Sequence, residues 1–201
     1  MFKKLFTKEY RSLLFVWIFV ASIAIIISIS AIVIAVKDKR YKAEFKQNIA
    51  IVKAEFYENE SLYSGLVAAI KKVEFDDYYY ICYERYNSDN IFRIKGSSGK
   101  PNPTVDPEIA AEIKSFYDEI EAKTSFGINI IDVTPKEGQI SMYGNKRYRT
   151  GYRWVRPWVR PNSKTVISTI AFAYFDAIPE GRTYLETLND NWVIHRGYGM
   201  K

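Results

Sequence analysis

The sequence predicts an α+β protein: a single N-terminal transmembrane helix continuing into a helical stalk, then a mainly antiparallel sheet with one or two packed helices. Three observations predict it. Residues 13–36, Leu13 to Val36, form 24 consecutive positions without a charge, Pro or Gly. After Val73 the apolar pattern changes from the period of a helix to the alternation of a strand. Short β-rich runs, separated by turn residues and one amphipathic segment, then fill the remainder.

At about 1.5 Å per residue the apolar run spans about 36 Å, more than the roughly 30 Å of a hydrocarbon core. Lys3, Lys4, Lys8 and Arg11 precede it. A cleaved signal peptide has the same order but an apolar region of only about 7–15 residues. The small residues Ser28, Ser30 and Ala31 fall inside the run rather than after it, so the segment reads as an uncleaved anchor. The chain divides into a basic tail (1–12), the span (13–36), a helical stalk (37–73, with a break signalled near 58–61) and a membrane-distal α+β domain (74–201). The part after the span has room for one domain of ordinary size, which excludes a two-domain enzyme or a multi-pass transporter. Aromatic residues make up 16% of the chain, too much buryable surface for a disordered protein.

Charge bounds function weakly. The net +6 divides into +3 for residues 1–12 and +3 for residues 37–201, so the soluble part is nearly balanced and nucleic acid is not an expected partner. The basic cluster Lys37, Lys39, Arg40, Lys42 and Lys46 outnumbers the N-terminal four, which taken alone favours a cytoplasmic domain. Long domains, however, translocate largely regardless of flank charge, and the expected location of the bulk of the chain is extracytoplasmic.

Within the span, Ala21, Ala24, Ser28, Ala31 and Ala35 recur with spacing 3, 4, 3, 4, a stripe of small side chains among bulky Ile, Val and Phe. Helices associate in lipid through close packing, which small residues permit, so this face is expected to seat a partner helix from another membrane subunit or a second copy. Small residues are also common in membrane helices generally. The register continues past the span through Asp38, Lys42, Phe45, Ile49, Val52, Phe56, Asn59, Tyr63, Leu66, Ile70 and Val73. These positions suit either a stalk with a partner or packing on the protein's own sheet. Asn59 and Gly65 signal a break, with Asn59 or Ser61 capping a second helix.

In the membrane-distal part, Asp77–Tyr86 and Ile91–Lys95 read as strands around an Asn87–Asn90 turn, and 96–107 reads as a Gly/Pro-rich loop. Asp106-Pro107 starts a helix with apolar Ile109, Ile113, Phe116, Tyr117 and Ile120 and an acidic opposite face. Phe126–Val133 and Gln139–Arg149 follow as strands around Pro135–Gly138. Lys164–Phe175 has the density of a central strand covered on both sides, and Asn191–Tyr198 reads as a final edge strand. This order of elements is similar to that of PAS-like and Cache-type sensor domains in architecture alone; no motif carries it.

Chemistry-bearing signals are sparse. One His (His195) and one Cys (Cys82) cannot supply a CxxC, HExxH or multi-His site, so no metal, cofactor or catalytic residue is assigned. Cys82 reads as a small buried hydrophobe and His195 as a strand or surface residue. Gly96–Lys100 lacks the spacing of a phosphate loop. The outstanding segment is Lys146–Pro161, with six basic residues, four large aromatics and no acid. Within it Arg147, Arg149, Tyr152, Arg153, Trp154, Arg156, Trp158 and Arg160 form a candidate protein interface, because interfaces are enriched in Trp, Tyr and Arg. Anionic headgroups are a second possible partner for it, and an ordinary half-buried strand paired to the domain's own acids is the plain alternative.

The expected function is therefore a non-catalytic, membrane-anchored accessory, scaffold or assembly subunit of a larger membrane complex. The alternative is a membrane-tethered small-ligand sensor head signalling through a partner, and a carboxylate- or Tyr/Arg-based enzyme ranks third.

Overall fold

The computed structural model describes residues 8–86, 89–149 and 167–198. It is α+β, with a long N-terminal apolar helix and a seven-stranded sheet backed by helices.

Helix α1 (Lys8–Glu58) runs 51 residues without interruption. No Pro or Gly occurs in it, and Asp38–Lys42 (2.6 Å) and Arg40–Glu44 (2.9 Å) pair at i,i+4 just after the apolar run. It stops at Asn59, whose backbone N–H donates to the Phe56 carbonyl at 3.0 Å and whose Nδ2 donates to the Glu55 carbonyl at 2.9 Å. Asn59 thus closes α1 and also takes the N-cap position of helix α2 (Glu60–Ile70), its carbonyl accepting from the Leu62 N–H at 2.9 Å, while its side chain gives α2 no bond. Gly65 does not break α2 either. A Cβ there would lie 2.5 Å from the Phe116 ring, so the glycine lets α2 and helix α3 (Pro107–Lys123) approach closely. Helix α3 starts as its residues dictate: the Asp106 carboxylate accepts from the Glu108 N–H at 2.7 Å and Pro107 occupies the first turn. Much of its acidic face is engaged by lysines, Glu112 by Lys72 (2.7 Å), Glu119 by Lys123 (2.6 Å) and Asp118 by Lys114.

Seven strands follow: β1 (Tyr79–Tyr86), β2 (Asp89–Gly96), β3 (Ile128–Thr134), β4 (Gln139–Arg149), β5 (Ile167–Phe175), β6 (Glu186–Thr187) and β7 (Trp192–Tyr198). Every pairing is antiparallel, in the order β2-β1-β3-β4-β5-β7-β6. The two-residue β6 pairs Thr187 with Val193 and Glu186 with Ile194, so β7 is not the edge strand its sequence predicts. The turn between β3 and β4 is a 3-10 turn (Pro135–Glu137) closed by Gly138 at φ 57°, a left-handed conformation that glycine adopts without strain.

The helices cover one face of the sheet. Alternate residues of the strands (Ile81, Ile131, Met142, Ile170, Phe172, Ile194) meet Ile113, Tyr117 and Ile120 of α3, Leu66 and Ile70 of α2, and Val52 and Phe56 of α1, all essentially without solvent contact. An aromatic nest lies at the centre: the Phe56 ring is 5.1 Å from Phe172 and 5.2 Å from Trp192, and Phe126 is 4.6 Å from Phe172. The opposite face of β5 is covered too. Ala173 and Phe175, with Val193 of β7, pack against Ile178 and Tyr184 of the segment that follows β5.

Helix α1 therefore has two halves. Residues 13–37 are exposed along their whole length, whereas Phe45, Val52 and Phe56 belong to the core of the head. Only residues 37–44 lie between the apolar run and the first buried side chain, about 12 Å of helix.

Candidate functional site

The small-residue stripe lies on the bare half of α1. Ala21, Ala24, Ser28, Ala31 and Ala35 are all exposed, and no described element covers them. The Ser28 hydroxyl donates to the Ala24 carbonyl and the Ser22 hydroxyl to the Ile18 carbonyl, both at 2.8 Å, so neither leaves an unpaired polar group on an apolar surface. A straight helix drifts by about 20° per heptad against a strict seven-residue repeat. Three heptads separate Ala24 from Phe45, so the stripe is rotated by roughly 60° from the face that the head occupies.

The Arg/aromatic segment is placed only at its start. Arg147 and Arg149 lie in β4, opposite Thr169 and Ile167 of β5. Tyr152, Arg153, Trp154, Arg156, Trp158 and Arg160 lie outside the described residues.

The sheet face away from the helices carries a cleft that the sequence did not announce. Register aligns Tyr143, Ala171 and His195 on neighbouring strands β4, β5 and β7. The small Ala171 leaves room for the two rings to meet edge to face, with centroids 6.0 Å apart at 81°. Beside them, Gln139, Phe175, Arg182, Tyr184, Leu185 and His195 line a cavity of about 560 Å3. On the adjoining strand β3, the Asp132 carboxylate accepts from the Tyr78 hydroxyl at 2.7 Å. Burial pushes the Asp132 carboxyl up, and hydrogen bonds from Tyr78 and Tyr143 pull it back.

His195 is the chemically defined member of this face. Its Nδ1 lies 3.2 Å from the Arg196 carbonyl, which can only accept, so Nδ1 carries the proton and Nε2 the lone pair. Burial holds its pKa below the usual histidine value, against the smaller opposing pull of that backbone bond. Among the described residues neither Nε2 of His195 nor the Tyr184 hydroxyl has a hydrogen-bond partner, although both atoms are buried. Cys82 is buried on the same sheet face, and burial pushes its thiol up, away from nucleophilic use. Among the described residues no group of three or more His, Cys, Asp or Glu is placed to hold a metal ion. The one signal that could have pointed to the cleft is the alternation of β5: Ala171 and Ala173 between Ile170, Phe172 and Tyr174 mark a face built for something to lie against.

The segment lining the cleft also holds α1. Lys53 pairs with Glu186 and the Tyr57 hydroxyl donates to the Leu188 carbonyl at 2.9 Å, while Asn189 Nδ2 donates at 2.9 Å to Glu60, the first residue of α2. On the other side Glu55 accepts from the Ser125 N–H at 3.1 Å. The end of α1 is thus tied by polar bonds to the segment around β6 and to the connection between α3 and β3, as well as by its buried face. Comparison with protein-family models, curated proteins and solved structures finds no match for this chain. The functional reading therefore rests on this geometry alone.

Proposed function

We propose that this chain is a non-catalytic, membrane-anchored accessory subunit, a scaffold or assembly component of a larger membrane protein complex. Residues 13–36 cross the bilayer once, and the α+β head, on the extracytoplasmic side, makes protein–protein contacts. The observation that carries the reading is the contrast between the halves of α1: Phe15, Trp17, Phe19, Ile25, Ile32 and Val36 stand exposed on a helix whose other end is fully committed to a core. Soluble proteins do not leave an apolar surface of this extent in water. Aromatic side chains favour both membrane interfaces, and Trp17 and Tyr41 stand about 36 Å apart along the axis. The stripe Ala21–Ala35 supplies a face for a neighbouring helix. Because α1 is one rod, a partner gripping the span fixes the head as well.

The test is recovery of the chain from membranes in mild detergent followed by mass spectrometry of bound proteins. A stoichiometric partner that is lost when Ala24, Ser28 and Ala31 are replaced by Leu supports the reading; a monomer at every concentration overturns it. Protease protection of the head in sealed vesicles reports its side. The second reading, a small-ligand sensor head, is favoured by the cleft beside His195 and Tyr184. It requires a small molecule that raises the melting temperature of the wild type and not of a Tyr184→Leu variant.

A further inference from the structure

We infer that the turns of α1 between the apolar run and the head form a collar that binds anionic phospholipid headgroups. Lys37, Lys39, Arg40, Lys42 and Lys46 supply the cations. The inference rests on the anchor proposed above and adds a specific lipid partner to it.

Position comes first. These residues begin at the end of the uncharged run and occupy ten positions, about 15 Å of helix. The headgroup region of one leaflet is about 5–7 Å deep, and lysine side chains can reach back several ångströms toward it, so the whole set lies within range of lipid phosphates.

The second point is direction. Phe45, Val52 and Phe56 define the side of α1 that faces the head. At the helical period Lys39 and Arg40 project away from that side and Lys46 from its flank, and all three are exposed. Asp38 neutralises Lys42 at 2.6 Å and Glu44 neutralises Arg40 at 2.9 Å. Lys37, Lys39 and Lys46 have no carboxylate partner among the described residues, a surplus of three positive charges within about 15 Å of helix. The head adds one more at the upper end of that stretch, where the Arg196 guanidinium lies 5.2 Å over the Phe45 ring.

Composition decides between lipid and protein. Interfaces between proteins are depleted of lysine, whereas juxtamembrane lysines gain affinity from an anionic surface one by one. With only about 12 Å of free helix below the head, such binding also fixes how close the sheet rides over the bilayer.

The experiment uses the full chain reconstituted in nanodiscs of equal parts phosphatidylcholine and phosphatidylglycerol. Lipid retained after gentle extraction is measured by mass spectrometry. We expect phosphatidylglycerol to outnumber phosphatidylcholine by at least about fivefold in the retained lipid, and that ratio to fall as salt is raised. Replacing Lys37, Lys39 and Lys46 together with Gln should abolish the preference, whereas Lys136→Gln, on the head, should leave it unchanged. Retained lipid at bulk proportions, a preference insensitive to salt, or a preference that survives the triple substitution overturns the collar. Flotation with vesicles of pure phosphatidylcholine reads the anchor separately: failure to float overturns the anchor and the collar with it, while flotation without a phosphatidylglycerol preference overturns the collar alone.

Discussion

Phe56 packs helix α1 against the sheet at the centre of the aromatic nest. It is fully buried and meets Tyr63, Phe172 and Trp192, so no smaller side chain keeps those contacts. We expect Phe56→Ala to cost about 3–5 kcal/mol in chemical denaturation. Gly144 makes the reverse point. A Cβ there would lie 2.7 Å from the ring of Phe126, itself fully buried and unable to retreat, so Gly144→Ala should cost about 1–3 kcal/mol by overpacking. His195 gives the head a pH dependence whose sign is fixed by its depressed pKa. The unfolded chain binds the proton near pH 6.5 and the folded chain binds it only at lower pH. The stabilisation is therefore complete above that value and lost as the pH falls toward the folded-state pKa. Melting curves between about pH 8 and about pH 5 should show the wild type losing ground to His195→Phe on acidification, because the phenyl ring keeps the edge contact with Tyr143 and does not titrate. Equal slopes for the two proteins would show that His195 protonates as freely in the fold as outside it. Little of this was legible residue by residue. His195 looked like an ordinary strand residue because its burial depends on what lies across Ala171.

At the scale of elements, sequence periodicity carried far. The long apolar helix, the Asp106-Pro107 start of α3 and the strands β3, β4 and β5 all follow from local patterns, since capping, proline geometry and alternation act over a few residues. Helix α2 shows the limit: Gly65 looks like a breaker until the Phe116 ring across from it is seen. The two-residue β6 has no pattern of its own and is made a strand only by β7. The continuity of α1 is the feature with mechanical consequence. Ala43 is exposed and lies between the apolar run and the head. Ala43→Pro removes a helical hydrogen bond and bends the rod, at about 3 kcal/mol or more of helix stability, without entering the core. We expect the head to melt as the wild type does, while spin labels at residues 37 and 136 pass from a narrow to a broad distance distribution. An unchanged distribution would show that the head is held to the apolar half by something other than helix continuity.

For the whole molecule, the division of labour along α1 decides what can be cut. Residues 37–201 retain every buried side chain from Phe45 onward and should fold as a soluble head with the circular dichroism of an α+β domain. Residues 59–201 lack Phe45, Val52 and Phe56, the inner stave of the helical layer, and should yield insoluble or molten protein. A well-folded head from the shorter piece would show that the end of α1 lies on the core without being part of it. The sequence alone determined the longer elements and the sorting of α1 into an uncharged half and an amphipathic half, because helix and strand periods are set by neighbours along the chain. The tertiary structure alone decided that the amphipathic half packs on the chain's own sheet, that β6 shields the edge of β7, and that His195, aligned with Tyr143 and Ala171, meets Tyr184 at one cleft. Those outcomes turn on strand order and on contacts between residues far apart in the chain, which no local period encodes.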